Sequence, residues 1–335
     1  MKASFRSRIK SNLLVVFCAA ASAIAPAAIQ GGDKVNKNPV IPGYYADPAI
    51  MHSEKTGLSY LYPTSDGYEN WGGKDFRVFS SPDLKNWTAH GTILELGKDV
   101  TWADRNAWAP CILERKQKDG SYKYYFYFVA AGKIGVAVAD DPLGPFKDSG
   151  RPMIDERPAG VKGGQQIDPD VFVDPKTNDV YLYWGNGYFA GVKLGEDLTT
   201  YDKSAVVVFP MDRTFREGGH VLFRNGTYYF LWSEDDTRSE NYKVRYGTAP
   251  TPLGPLAIPP NNIVIQKDPS QGIYATGHNQ TIRIPGTDEW RIVYHRFAWP
   301  DAVKKGWSAG YHREVCIDPM TFDSEGRIVE VKPQL

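Results

Sequence analysis

Three carboxylates in this 335-residue chain stand where they could do chemistry: Asp47 in YADP, Asp168 in IDPD and Glu217 in REGG. Each sits beside a Pro or Gly that constrains the local backbone, and each leads an apolar run that reads as a strand. Taken singly, such a residue is ordinarily a turn or strand-end group. Gathered in one desolvated hollow, three carboxylates repel, and their pKa values must spread apart. A protonated carboxyl and an ionised one flanking the same bond are what acid–base cleavage of a glycosidic linkage requires.

The elements that would gather them recur along the chain. Residues 167–185, IDPDVFVDPKTNDVYLYWG, give a strand, a tight turn and an aromatic-rich answering strand. The same grammar begins near Tyr45, Trp108, Arg216 and Thr276, with Asp47, Trp108, Asp168, Glu217 and His278 as leaders. The leaders lie roughly 50–60 residues apart, close to the period of propeller blades, and no helical pattern intervenes. Similar punctuation closes three units: SSPDL from Ser80, DPLGPF from Asp141 and TPLGPL from Thr251. The expected fold is therefore all-β, a five-bladed β-propeller over residues 31–335, with a final strand starting at Arg327. Each blade places its first strand on the central channel, so the leaders should meet at one mouth of that channel.

Composition excludes some functions. The formal net charge is 0 and no Lys/Arg run stands out, which argues against nucleic-acid binding. Lys2, Arg6, Arg8 and Lys10 precede a short apolar stretch, Leu13–Ala25, and small residues follow between Ala23 and Ala28. This reads as a signal peptide over residues 1–30, with a secreted or periplasmic mature chain. The apolar stretch is shorter than the roughly 20 residues that span a bilayer, so no membrane association is expected after its removal. Cys111 and Cys316 would remain, read as two buried free thiols.

Together the stretches YADP, SSPDLKNW, WAPCI, IDPDVFVD, FREGGHV and TGHN resemble glycoside hydrolase family 43, and the resemblance runs from Tyr44 to about Val331. It implies a five-bladed propeller that removes arabinose- or xylose-containing groups with inversion. It implies Asp47 as general base, Glu217 as general acid, and Asp168 as the group that raises and orients the acid, with Asp170 in second place and Glu234 a weaker rival for the acid. Trp108 is expected to wall a furanose ring, helped by Trp184 and Asn186, with Trp102 and Asn106 as further lining. Arg296 is expected to bond sugar hydroxyls or steady Asp168, whereas His220, His295 and His312 are given no role. His278 would touch a structural calcium or other cation in the channel. The loop Glu234–Tyr242 is expected to be solvated. The implied activity is an exo-acting α-L-arabinofuranosidase on arabinan or arabinoxylan; a β-xylosidase, an endo-arabinanase and a non-catalytic sugar-binding propeller are the alternatives.

Overall fold

The structure, a computed structural model, describes residues 38–335 and Met1; the expected signal segment lies outside the described residues. Five antiparallel sheets follow one another in chain order. Their first strands are Tyr45–His52, Trp108–Lys116, Asp170–Val173, Glu217–Arg224 and Gly277–Arg283. Four sheets have four strands, each joined to the next in sequence, and the fifth has three. This is the five-bladed propeller expected from the repeat.

Five of the hydrophobic clusters lie between successive blades, and each is filled by strands of two neighbours. Tyr62, Phe76, Phe126 and Phe128 pack the first blade on the second. Cys111, Tyr127, Leu182 and Trp184 pack the second on the third. Phe189, Phe209, Phe230 and Trp232 join the third to the fourth. Leu231, Tyr246, Ile292 and Cys316 join the fourth to the fifth. Leu61, Phe79, Val293 and Ile317 close the ring between the fifth and the first. Both Cys111 and Cys316 are buried free thiols, in different clusters.

The aromatic second strands have a further use. Tyr62, Tyr127, Tyr183 and Tyr229 each donate a hydroxyl hydrogen bond to a backbone carbonyl of the following blade: Pro142 at 2.8 Å, Leu198 at 2.7 Å, Pro252 at 2.8 Å and Gly326 at 2.5 Å. A buried hydroxyl needs such a partner, and each bond contributes about 1 kcal/mol net. Pro142 and Pro252 belong to DPLGPF and TPLGPL, so the repeated punctuation supplies acceptors that pin neighbouring blades.

The end of the chain departs from expectation. No blade strand begins at Arg327; Val331 instead bridges to Ile265, on the outer strand of the fourth blade. The outer edge of the fifth blade is already taken, because the Val40 backbone N–H bonds to Val315 at 3.0 Å and the Asn38 side chain accepts from the Ile317 N–H at 2.9 Å. N-terminal residues thus pair with the last blade and close the ring.

Candidate active site

Every first strand is irregular near its start. Asp47 (φ 45°), Ala109 (37°), Asp168 (61°), Gly218 (62°) and His278 (44°) all adopt left-handed backbone there. In four blades this coincides with a register shift against the second strand. Pro48 and Pro110 follow two of these residues within the shifted register and cannot donate to a ladder, which suits a bulge, and Pro169 follows Asp168 just ahead of its strand. Bulges re-aim side chains, and here they turn residues from separate blades toward one mouth. Asp47, Asp168, Glu217 and His278 all line a cavity of about 210 Å³, together with Trp71, Trp108, Asn186 and Arg313.

Asp47 is enclosed by one guanidinium and two imidazoles. Its Oδ1 lies 3.0 Å from Arg313 Nη1, 3.2 Å from His295 Nδ1 and 3.3 Å from His278 Nδ1. Burial alone would raise its pKa, but the Arg313 guanidinium holds the carboxyl well below the usual range. Arg313 is fixed from behind: its Nε lies 2.9 Å from Asp66 Oδ2, and its backbone N–H donates to the same oxygen at 3.0 Å. Burial and then Arg313 push His295 down to about 3, so its imidazole is neutral at ordinary pH. It can therefore accept the Asp47 backbone N–H at 3.2 Å.

Glu217 has the opposite environment. The Tyr242 hydroxyl donates to it at 2.9 Å, and the Asn186 amide donates to its other oxygen. Burial pushes its pKa up to about 7, against the downward pull of Tyr242 and Arg216. Asp168 is raised as well, by burial and then by Glu217 and Asp47, while it accepts the Gly218 N–H at 3.1 Å. The Asp168–Glu217 pair thus retains a proton toward neutrality, whereas Asp47 is ionised. Tyr242 stacks on His295 with ring centroids 5.5 Å apart, so one rigid pair of rings spans from the acidic end of the site to the basic end. Gly277 leaves room for that stack, since a Cβ there would come within 2.3 Å of the Tyr242 ring.

Trp108 and Asn186 face the cavity as expected, but two other anticipated sugar contacts do not. Trp184 is almost fully buried in the cluster between the second and third blades. Arg296 is fully buried, with Nε 2.7 Å from Glu314 and Nη1 donating to the Gln334 carbonyl at 2.8 Å. Both faces of a blade are covered, so strand alternation sent these side chains between blades or under the C-terminal tail rather than into the channel. Trp102 bonds to Asp148 and stacks on Phe128, and Asn106 supports the wall from behind through the Trp71 carbonyl. Glu234 pairs with Arg245 away from the cavity. Asp170 lies one layer deeper, where it accepts from Gln280 Nε2 at 2.9 Å and the Val221 N–H at 3.0 Å and faces His220 Nδ1 at 3.0 Å.

Several lining groups were missed. Asp236, Thr237 and Arg238 come from the loop expected to be solvated, and Trp71 comes from the short helical turn Glu69–Trp71. The Trp71 carbonyl accepts from Trp108 Nε1 at 2.7 Å, and its own indole N–H donates to Gly310 at 2.7 Å. Nothing in the sequence marks Trp71, whereas the stretches SEDDTRS, residues 233–239, and GYHREV, residues 310–315, carry Asp236, Thr237, Arg238 and Arg313 and are the signal that resemblance to family subgroups offers.

A cation at His278 finds a poor ligand set. Among the described residues no group of three or more His, Cys, Asp or Glu side chains converges to hold a metal. The carboxylate facing His278 is already bonded to Arg313, and a hard cation seeks roughly six to eight oxygens. These side chains do not fit a directly ligated cation, and no step below passes through one.

The comparisons with known proteins agree with this geometry. The chain is 34% identical over 305 residues to a β-D-galactofuranosidase of Aspergillus niger, across 88% of this chain and 84% of that protein. It is 32% identical to an arabinoxylan arabinofuranohydrolase of Bacillus subtilis, across 88% of this chain and 64% of the relative. The structure of an α-L-arabinofuranosidase from Clostridium thermocellum superposes with a TM-score of 0.69 at 29% identity, covering 86% of this chain and 94% of that one. The sequence model of glycosyl hydrolases family 43 matches residues 36–328, and the chain belongs to that family.

Proposed function

We propose that the protein is an exported, inverting, exo-acting α-L-arabinofuranosidase that removes arabinofuranose side groups from arabinan or arabinoxylan. The observation that carries this reading is the convergence of Asp47, Asp168 and Glu217 on one small cavity, with Asp47 against the Arg313 guanidinium and Glu217 against the Tyr242 hydroxyl and the Asn186 amide. Glu217 leads its strand one residue ahead of the bulge, beside the partly exposed Arg216, and so stands toward the mouth where a leaving group departs. Its proton passes to the glycosidic oxygen as the bond to the anomeric carbon breaks. Ionised Asp47 takes a proton from the water that attacks that carbon from the opposite face. Asp168 stands beside the acid: the two carboxyls share a proton toward neutrality, and its bond to Gly218 fixes the backbone next to Glu217.

Size supports the exo mode. The cavity, at about 210 Å³, is below the roughly 300–1,000 Å³ of ordinary ligand clefts and suits a terminal sugar better than a chain segment. Two relatives are named for furanosides, an arabinoxylan arabinofuranohydrolase and a galactofuranosidase, and the latter supports a second reading with β-D-galactofuranose; others are named xylosidase/arabinosidase or β-xylosidase, which keeps β-xylosidase as the alternative. The basic and apolar segment before Ala28 supports export.

A panel of aryl α-L-arabinofuranoside, β-D-galactofuranoside and β-D-xylopyranoside tests the sugar, with arabinofuranoside expected to give the highest kcat/KM. NMR of the first anomer released tests inversion, and a retained configuration would remove the Asp47 role. The pH profile is a separate expectation. The acid must be protonated, so kcat/KM should decline as pH rises through about 7, while the base limb should lie below pH 4. An alkaline limb near pH 5 would contradict the role given to Glu217.

A further inference from the structure

Resting on the arabinofuranosidase reading, we infer that Trp307 and Arg238 form a platform outside the pocket that binds the pyranose backbone of a β-1,4-xylan. The pocket has room for the terminal sugar, so the remainder of the substrate must lie on the rim. There Arg238 is held between two indoles, its guanidinium carbon 5.5 Å from the Trp71 ring centroid and 4.6 Å from that of Trp307. Asp236 fixes the guanidinium through two hydrogen bonds, of 2.7 and 2.9 Å. Gly310 packs so closely that a Cβ on it would lie 2.6 Å from Arg238 Cγ. Tyr311 meets Trp71 edge-on at 4.7 Å, which locks the inner end of the row.

The outer end is open. Trp307 is 65% exposed although Arg238 covers one side, which leaves the opposite indole face to solvent. An indole held this far into water by a buttressed cation has no packing role to explain it. The row runs from the pocket wall at Trp108 and Trp71, through Arg238, to an aromatic surface suited to a sugar ring. A β-1,4-linked xylopyranose chair, with equatorial substituents, offers a flat C–H face to such a surface. Puckered furanoses joined through a flexible exocyclic carbon, as in arabinan, offer less.

The test uses the full chain with Trp307→Ala and Trp307→Phe. For arabinose-substituted xylo-oligosaccharide, kcat/KM relative to that for aryl α-L-arabinofuranoside should fall about tenfold in W307A, through KM, and recover partly in W307F. Affinity electrophoresis in gels containing xylan should show retardation of the wild type that W307A loses, with little retardation of either by linear arabinan. An unchanged ratio together with unchanged retardation overturns the platform, as would equal loss on every substrate or a W307A effect confined to self-association. The gel readout does not depend on hydrolysis. A wild type that binds xylan through Trp307 yet fails to cleave arabinofuranosides would reject the activity and keep the platform.

Discussion

Asp47→Asn is expected to lower kcat by about 10³-fold with little change in KM or in the folded state. The substitution keeps the shape of the side chain and its place against Arg313 but removes the negative charge that accepts a proton from water. Glu217→Gln should cause a comparable loss on arabinoxylan, where the departing sugar oxygen needs a proton. The two variants separate on a substrate whose leaving group needs no acid. On dinitrophenyl arabinofuranoside, E217Q should recover most of its kcat and D47N should not. The check is steady-state kinetics on both substrates, with circular dichroism to confirm folding. Equal rescue of both variants would mean that the acid and base are wrongly assigned.

Arg313→Met is expected to cost about 3–5 kcal/mol of stability at pH 7, because it strands two buried carboxylates, Asp47 and Asp66, without their shared cation. The pH dependence follows from the sign of the Asp47 shift. Its folded pKa lies below the unfolded value of 3.8, so this contribution is fully present above that value and is lost as pH falls through the folded one. The wild-type advantage over R313M should therefore be large at pH 7 and shrink in strongly acid solution. Urea unfolding at several pH values measures it, and a gap that stayed constant with pH would show that Arg313 acts through packing alone. Activity of R313M should also lose its acid-side plateau, since the base would then titrate at a higher pH.

Much of this site was legible before any coordinates. The leaders Asp47, Trp108, Asp168, Glu217 and His278 could be picked out because a propeller repeats one local grammar, and local grammar is written in order along the chain. The prolines after Asp47 and Ala109 coincide with the bulges that aim the side chains, although a bulge cannot be distinguished from an ordinary strand start in a linear string. The tyrosines that pin neighbouring blades were visible as aromatic strands, but their acceptors were not, because each partner lies roughly 70–100 residues away.

The sequence by itself determined the five-fold repeat and the three carboxylates at its matching positions. Only the tertiary structure decided the rest. Trp184 and Arg296 went to the interior because both faces of a blade are buried, so alternation cannot say which face looks into the channel. His295 and Arg313 belong to second and third strands, and they reach Asp47 only because the ring closes and brings the last blade against the first. Trp71 sits on a short helical turn and Asp236 and Arg238 on a loop, where no period constrains the chain and position is set by what the neighbouring blades leave open.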